Sequence, residues 1–419
     1  MFGRLNGIIF ALLTFSTSFL GSTFLLFPLL PLAYYGTKFW RLSADWLVGF
    51  WLTLPVCLVE LIFKSKFHIS GDLILRDKPA LIVMNHRTRL DWMFFWNVLY
   101  KMDPLLLTTE KISLKAALKF IPGAGWAMGC GSFIFLERNF ESDKDTIASS
   151  IQYYKESENT YQLLLFPEGT DRSVRSAVQS DSFAKRNGLP PYNYLLHPRT
   201  TGFNHLLNIM RKHNYVSYVY DVTVAYADVI VDSELRLLKE GAFPQNIHFD
   251  VKRYEISDIP ADNESSAEWL KELWFEKEKR LRKFYETSSH DRRFDPSGHG
   301  YVWPAKWVCV LRSVAICPKE NFPKPKGLWE KKKITALFSR AFENKSMMTY
   351  IFGAKVHVRG DRIDHSKPAI IIMNHRTRLD WLYFWNALYT MDPWLCTSEK
   401  ITLKGILKYL PGAGVFCPF

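Results

Sequence analysis

Cysteine is scarce: Cys57, Cys130, Cys309, Cys317, Cys396 and Cys417 are the six in 419 residues, with no C-x-x-C pair and no regular spacing to histidine. That distribution fits neither a zinc site nor a disulfide framework, so no metal is expected. The chain also lacks a G-x-S-x-G elbow, which removes the serine nucleophile that a hydrolase of that type requires. Helix-turn-helix, zinc-finger and RNA-binding signatures are missing as well. The net charge of +13 is therefore a basic surface without a nucleic-acid motif, and no nucleic-acid partner is expected. Charge itself vanishes locally, because Ile8 to Tyr35 reads IIFALLTFSTSFLGSTFLLFPLLPLAYY without one charged residue.

That run is long enough to cross a bilayer. A second stretch, Trp46 to Phe63, is apolar except for Glu60, and Lys38, Arg41, Lys64 and Lys66 flank the two. A hairpin or a partly re-entrant anchor fits both, so residues 1–66 read as an N-terminal membrane anchor. A cleaved signal peptide fits poorly, since the run is too long and no clear small-residue cleavage site follows it. With 48% apolar residues and 15% aromatics the remainder has ample material for a core, which excludes global disorder.

An internal repeat organises the rest. KPALIVMNHRTRLDWMFFWNVLY from Lys78 returns as KPAIIIMNHRTRLDWLYFWNALY from Lys367, each residue 289 positions from its counterpart. The match runs from His68 and His357 through IPGAG and LPGAG, and the second copy then stops at Phe419. A fragment without most of its partner strands cannot bury its hydrophobic face, so residues 351–419 read as a truncated second copy of the domain's start. The expected origins are a tandem duplication joined in one reading frame, or a splice form. Pro-, Gly- and charge-rich sequence makes 288–350 a linker and divergent segment, in which Tyr301 to Cys317 is interrupted by Lys306 and Arg312. The main domain is 67–287.

Within it, ALIVM (Ala80 to Met84), YQLLLF (Tyr161 to Phe166) and VYDVTVAY (Val219 to Tyr226) read as buried strands. Helical patterns separate them. One spans Ser265 to Tyr285, opened by Ser265 or Ser266 with Glu268 close behind, and carries Trp269, Leu270, Leu273, Trp274 and Leu281 at helical spacing. Strands alternating with helices predict an α/β domain.

The chemistry-bearing residues follow two of these strands. N-H-R-T-R-L-D places His86 and Asp91 five residues apart. On one continuous helix they would point about 140° apart. With His86 on the loop after the strand and Asp91 in the first turn of the next helix, the carboxylate holds one imidazole nitrogen and the other faces a pocket. That pair suits general-base catalysis without a protein nucleophile; in isolation it also suits helix capping. F-P-E-G-T-D-R-S, Phe166 to Ser173, offers the Glu168 carboxylate, a turn at Gly169, the Thr170 hydroxyl and Arg172. It reads as a headgroup cradle or as a simple Pro-Glu-Gly turn. In G-S-F-I-F-L-E-R, Gly131 to Arg138, the terminal arginine is a phosphate ligand or a solvated strand-end charge.

In this order NHRTRLD, GSFIFLER, FPEGTDRS and DVTVAY resemble the glycerophospholipid acyltransferase family, whose hallmark is H-x4-D followed by F-P-E-G. HPRTTGF (His197 to Phe203) and IHFDVKRY (Ile247 to Tyr254) make the chain similar to its lysocardiolipin and 1-acylglycerol-3-phosphate acyltransferase branch, over roughly the first 300 residues. The resemblance implies a glycerolipid acyltransferase-type mixed sheet flanked by helices, with N-terminal membrane helices. It implies His86 as base, Asp91 as its partner, and Arg138, Glu168 and Gly169 on the acceptor's glycerophosphate. In many relatives an arginine directly follows E-G-T, whereas here Asp171 intervenes before Arg172.

The implied reaction moves a fatty acyl group from acyl-CoA, a co-substrate, to a lysophospholipid hydroxyl in a membrane; no separate cofactor is implied. Endoplasmic reticulum is the implied location. His375 and Asp380 repeat the pair, yet no GSFIFLER or FPEGT follows them, so independent activity of the second copy is not expected. The rival reading is a non-catalytic lipid-binding or scaffold protein, against which His86, Asp91 and Glu168 argue by being intact.

Overall fold

The computed structural model describes residues 2–294 apart from 138, 233–235 and 238–240, together with scattered positions between 357 and 391. Most of the 288–350 segment, of the second copy and of Tyr301 to Cys317, with His375, lies outside the described residues.

The two apolar stretches are helical, and they differ. Helix α1 (Phe2–Gly21) runs through a π turn at Ser22–Leu26 and a 3-10 turn at Phe27–Leu29, beside Pro28, into α2 (Pro31–Tyr35). After Gly36 comes α3 (Thr37–Ile62). Phe10 packs on Phe63 and Thr17 accepts from Trp51, so α1 and α3 are antiparallel. Both are long and apolar enough to cross a membrane, but 17% of the first apolar window is buried within the protein against 44% of the second. One face of α3 lies against the domain: Val48, Leu52, Val56 and Val59 are buried there, and so are the charged Arg41 and Asp45.

The domain is built on a seven-stranded sheet in the order β1-β7-β6-β2-β5-β3-β4. The strands are β1 (Lys66–Gly71), β2 (Ala80–Met84), β3 (Glu110–Lys115), β4 (Ile134–Leu136), β5 (Gln162–Leu165), β6 (Tyr218–Tyr226) and β7 (Asn246–Glu255). Only the β6–β7 pairing is antiparallel, so the sheet is mixed, as expected. Strand β2 shows why its sequence is continuously apolar. Ala80, Ile82 and Met84 enter a core shared with α3 and α4 (Asp91–Met102), while Leu81 and Val83 enter a second core on the other face. After the short helices α5 (Leu106–Thr109) and α6 (Ala124–Cys130), the second core is roofed by α7 (Phe140–Glu156), α9 (Thr200–Lys212) and α10 (Asn263–Glu286), with α8 (Val174–Arg186) between α7 and α9 in the chain. Strands covered on both sides have no polar alternation to show.

Helix α10 is longer than its sequence pattern predicted. Its N-cap is Asp262, whose side chain accepts from the Ser265 amide at 2.8 Å, and Ser266 is buried. An aspartate caps as well as a serine, and the Ser-x-Glu pattern lies one turn inside the true start. Parallel pairing of β2 with both β5 and β6 brings their carboxyl ends to one edge. In open α/β sheets that edge is where ligands bind.

Candidate active site

Three strand ends supply the site. Beyond β2, Asn85 acts as a side-chain rung: its Nδ2 donates to Val224 O (3.1 Å) and its Oδ1 accepts from Val224 N (2.8 Å), pinning the loop to β6. His86 follows on that loop and Asp91 opens α4, the placement that the sequence required for the two to meet. His86 Nδ1 lies 3.0 Å from Asp91 Oδ2. The same oxygen accepts from the Thr88 amide (2.9 Å), while Oδ1 accepts from the Thr88 hydroxyl (3.0 Å) and from the Tyr226 hydroxyl. The Asp91 side chain is 0% exposed and that of His86 13%, so the pair is open on the imidazole side alone. Held by these donors, the Asp91 carboxylate engages Nδ1 of the ring and leaves Nε2 as the outward nitrogen.

Beyond β5, Phe166 stacks on the His86 ring at 4.2 Å between centroids. Glu168 is buried; Trp274 Nε1 donates to its Oε1 at 3.3 Å, and its Oε2 has no partner among the described residues. Burial pushes this carboxyl up to about 7, against the pull of His86, Lys277 and Trp274. Gly169 takes φ +74°, and a Cβ there would meet Arg199 Nε at 3.1 Å, so both backbone and space ask for glycine. Thr170 follows, half-buried, in the same bend. The Arg172 amide donates to His86 O at 2.9 Å, tying the two motifs together. Its guanidinium Nε, like that of Arg87, is buried without a partner among the described residues; burial and then the nearby Arg87 lower the Arg172 pKa.

The fold therefore gathers His86, Asp91, Glu168, Gly169, Thr170 and Arg172 at one edge, and Arg138 lies outside the described residues. In the second copy Asp380 is described and His375 is not. Two grooves, of about 360 and 520 Å³, run along β4 and α7 past Phe133 and Ser150; neither is lined by His86 or Glu168. Sequence reasoning missed Asn85, Trp274 and Lys277. Trp274 carried only a core signal, and Lys277 broke the apolar pattern of α10. Lys277 is in fact buried in an ion pair with Asp221 at 2.6 Å, and Arg280 bridges Asp221 and Asp250 at 2.6 Å each. These charges bolt α10 to β6 and β7, which sets Trp274 over Glu168.

A buried carboxylate, an oriented imidazole with one nitrogen outward, and an adjacent turn with unpaired polar atoms can accept a proton from a hydroxyl and hold an anionic group. Comparison with known proteins covers the same part of the chain. The Acyltransferase profile matches residues 66–227 and again 355–418, and the profile of the acyltransferase C-terminus matches 236–311. The chain is 46% identical over 267 residues to lysophosphatidylinositol acyltransferase 10 of Caenorhabditis elegans, covering 64% of this chain and 68% of that protein. It is 44% identical over 311 residues to lysocardiolipin acyltransferase 1 of Gallus gallus, covering 74% and 80% respectively. The crystal structure of the 1-acyl-sn-glycerophosphate acyltransferase PlsC of Thermotoga maritima superposes on 66% of this chain and 95% of its own, at a TM-score of 0.38 and 17% identity, too distant to add weight. On the profiles and the two close relatives, this chain belongs to the acyltransferase family, the family its motifs resembled.

Proposed function

We propose that this enzyme transfers a fatty acyl group from acyl-CoA to the free hydroxyl of a lysophospholipid in phospholipid synthesis or remodelling, with His86 as general base. Its relatives carry the names of lysophosphatidylinositol, lysocardiolipin and 1-acyl-sn-glycerol-3-phosphate acyltransferases. The observation that carries the reading is the 3.0 Å contact of His86 Nδ1 with a fully enclosed Asp91, which leaves Nε2 as the outward nitrogen.

In the reaction, His86 Nε2 removes the acceptor's hydroxyl proton as the oxygen attacks the thioester carbonyl. Asp91 stabilises the imidazolium so formed. The tetrahedral intermediate collapses with loss of coenzyme A thiolate, and the imidazolium returns its proton to that sulfur. Glu168, Gly169, Thr170, Arg172 and Arg138 hold the acceptor's glycerophosphate. The two apolar helices associate the enzyme with a membrane, where its acceptor lies; we place that membrane in the endoplasmic reticulum.

The test is acyl transfer by membranes expressing the chain, with labelled oleoyl-CoA and separate lysophosphatidic, lysophosphatidylinositol, lysophosphatidylglycerol and lysocardiolipin acceptors. His86→Ala is expected to lower transfer about 100- to 10,000-fold, and His375→Ala to leave it unchanged. A parent chain that transfers to no acceptor would instead support a non-catalytic lipid-binding protein.

A further inference from the structure

We infer that Tyr226, at the end of β6, is a positioning residue for the acyl transfer, acting through Asp91 on His86. This rests on the reading of His86 as the base. The geometry is specific. Tyr226 is fully buried, and its hydroxyl donates to Asp91 Oδ1, the oxygen that does not hold His86. The Thr88 hydroxyl donates to the same oxygen and lies 3.4 Å from the Tyr226 oxygen. Among the described residues, Asp91 thus receives two donors on each oxygen, and Tyr226 is the one that comes from another strand, 135 residues away. The backbone at Tyr226 is itself held, since its amide donates to the Tyr285 hydroxyl at 3.2 Å.

Each donor on a carboxylate draws off part of its charge. Tyr226 therefore sets how strongly Asp91 stabilises the imidazolium, besides fixing its rotamer. Among the described residues, the other charged or titratable groups that interact with the pair or its neighbours include Glu168, which His86 and Lys277 favour as an anion, Arg172, Arg87 beside Arg172 and Tyr285, and Tyr285 facing Asp91. None of these donates to Asp91.

The molecule contains its own control. Tyr161 donates to the buried Asp45 Oδ2 at 2.6 Å, the same chemistry on a carboxylate that touches no part of the site. The pH dependence of acyl transfer is measured for the parent, Tyr226→Phe and Tyr161→Phe, with His86→Ala alongside. In Tyr226→Phe the less shared carboxylate charge holds the imidazolium proton to higher pH. The acidic limb is expected to move up by about half a unit to one unit, with kcat down about tenfold and KM within about twofold. Tyr161→Phe should move neither the limb nor kcat. A Tyr226→Phe profile that superimposes on the parent's overturns the inference, and so does an equal shift in Tyr161→Phe.

If Tyr226→Phe does not accumulate, 3,5-difluorotyrosine installed at position 226 replaces it. Its stronger donation should move the limb down, and an unmoved limb overturns the inference again. Should His86→Ala retain transfer, the base assignment itself has failed, a result distinct from either Tyr226 outcome.

Discussion

Asp91 and Asp45 are two buried aspartates that the fold uses in opposite ways. Asp45 binds Lys111 Nζ at 2.7 Å and Arg41 Nη2 at 3.2 Å through Oδ1, and Tyr161 through Oδ2. Lys111 lies over the Tyr161 ring, and Arg41 donates onward to Ser132 and the Cys130 carbonyl. Arg41 and Lys111 are both 2% exposed or less, so no cation of this cluster reaches the surface. Asp91 gathers four donors to the three of Asp45, but one of its partners turns a second nitrogen outward. Donor count does not separate a reactive carboxylate from a structural one; access of the partner does. The Asp45 cluster closes the seam between the apolar helix α3 and strand β3, and the Asp91 cluster is open where three strand ends meet.

Three substitutions bear on this contrast. Asp91→Asn should cost the most in activity, roughly 1,000- to 10,000-fold in kcat, since an amide cannot fix the tautomer or balance the imidazolium. Unchanged thermal unfolding in detergent would accompany it; a matching loss of stability would make Asp91 a structural residue like Asp45. Next, Asp45→Ala leaves Arg41 and Lys111 buried without their counter-ion and should destabilise the domain by about 3–5 kcal/mol. The surviving folded fraction should keep the parent's KM, and a stability within experimental error of the parent's would refute the closed-cluster account.

The smallest effect concerns Glu110, beside Lys111. Burial pushes its carboxyl up to about 8, from an unfolded value near 4.5, so the folded chain keeps a proton that the unfolded chain releases. The stability tied to that proton is fully present below pH 4.5 and is lost as pH rises through about 8. Glu168, at about 7, adds a second decline of the same sign. His248 acts oppositely, because burial and then His68 lower it to about 3; its contribution fades as pH falls below 6.5. Between pH 6.5 and 8, Glu110→Gln should therefore flatten the alkaline decline in unfolding free energy by up to about 1.4 kcal/mol per pH unit. Equal slopes in variant and parent would show that Glu110 is ionised in the folded state.

What the sequence made legible follows the range of the interactions. His86 and Asp91 are five residues apart, so their meeting depended only on a loop followed by a helix start, and the motif displayed both. Trp274 reaches Glu168 across 106 residues, and nothing local distinguishes it from the other apolar positions of its helix. Tyr226 stood inside a strand that was recognised, but alternation says which face a side chain takes, not which oxygen it meets. Hydropathy marked α3 as a candidate span while hiding that Arg41 and Asp45 on the same helix face the protein, because an average over residues carries no direction. Arg138, predicted to bind phosphate, and His375 lie outside the described residues.

The pairing of β1 with β7 also has a bearing on how the chain is made. Ser70, eight residues beyond the end of α3, hydrogen-bonds to Asp250, 180 residues later. A strand that leaves the ribosome just behind the apolar hairpin thus waits, with neither edge paired, until nearly the whole domain has been translated. Contacts of such separation slow folding, and an open strand edge invites wrong partners meanwhile. The exposed Lys66 at the start of β1 and the strand's length of only six residues are features that discourage such wrong pairing.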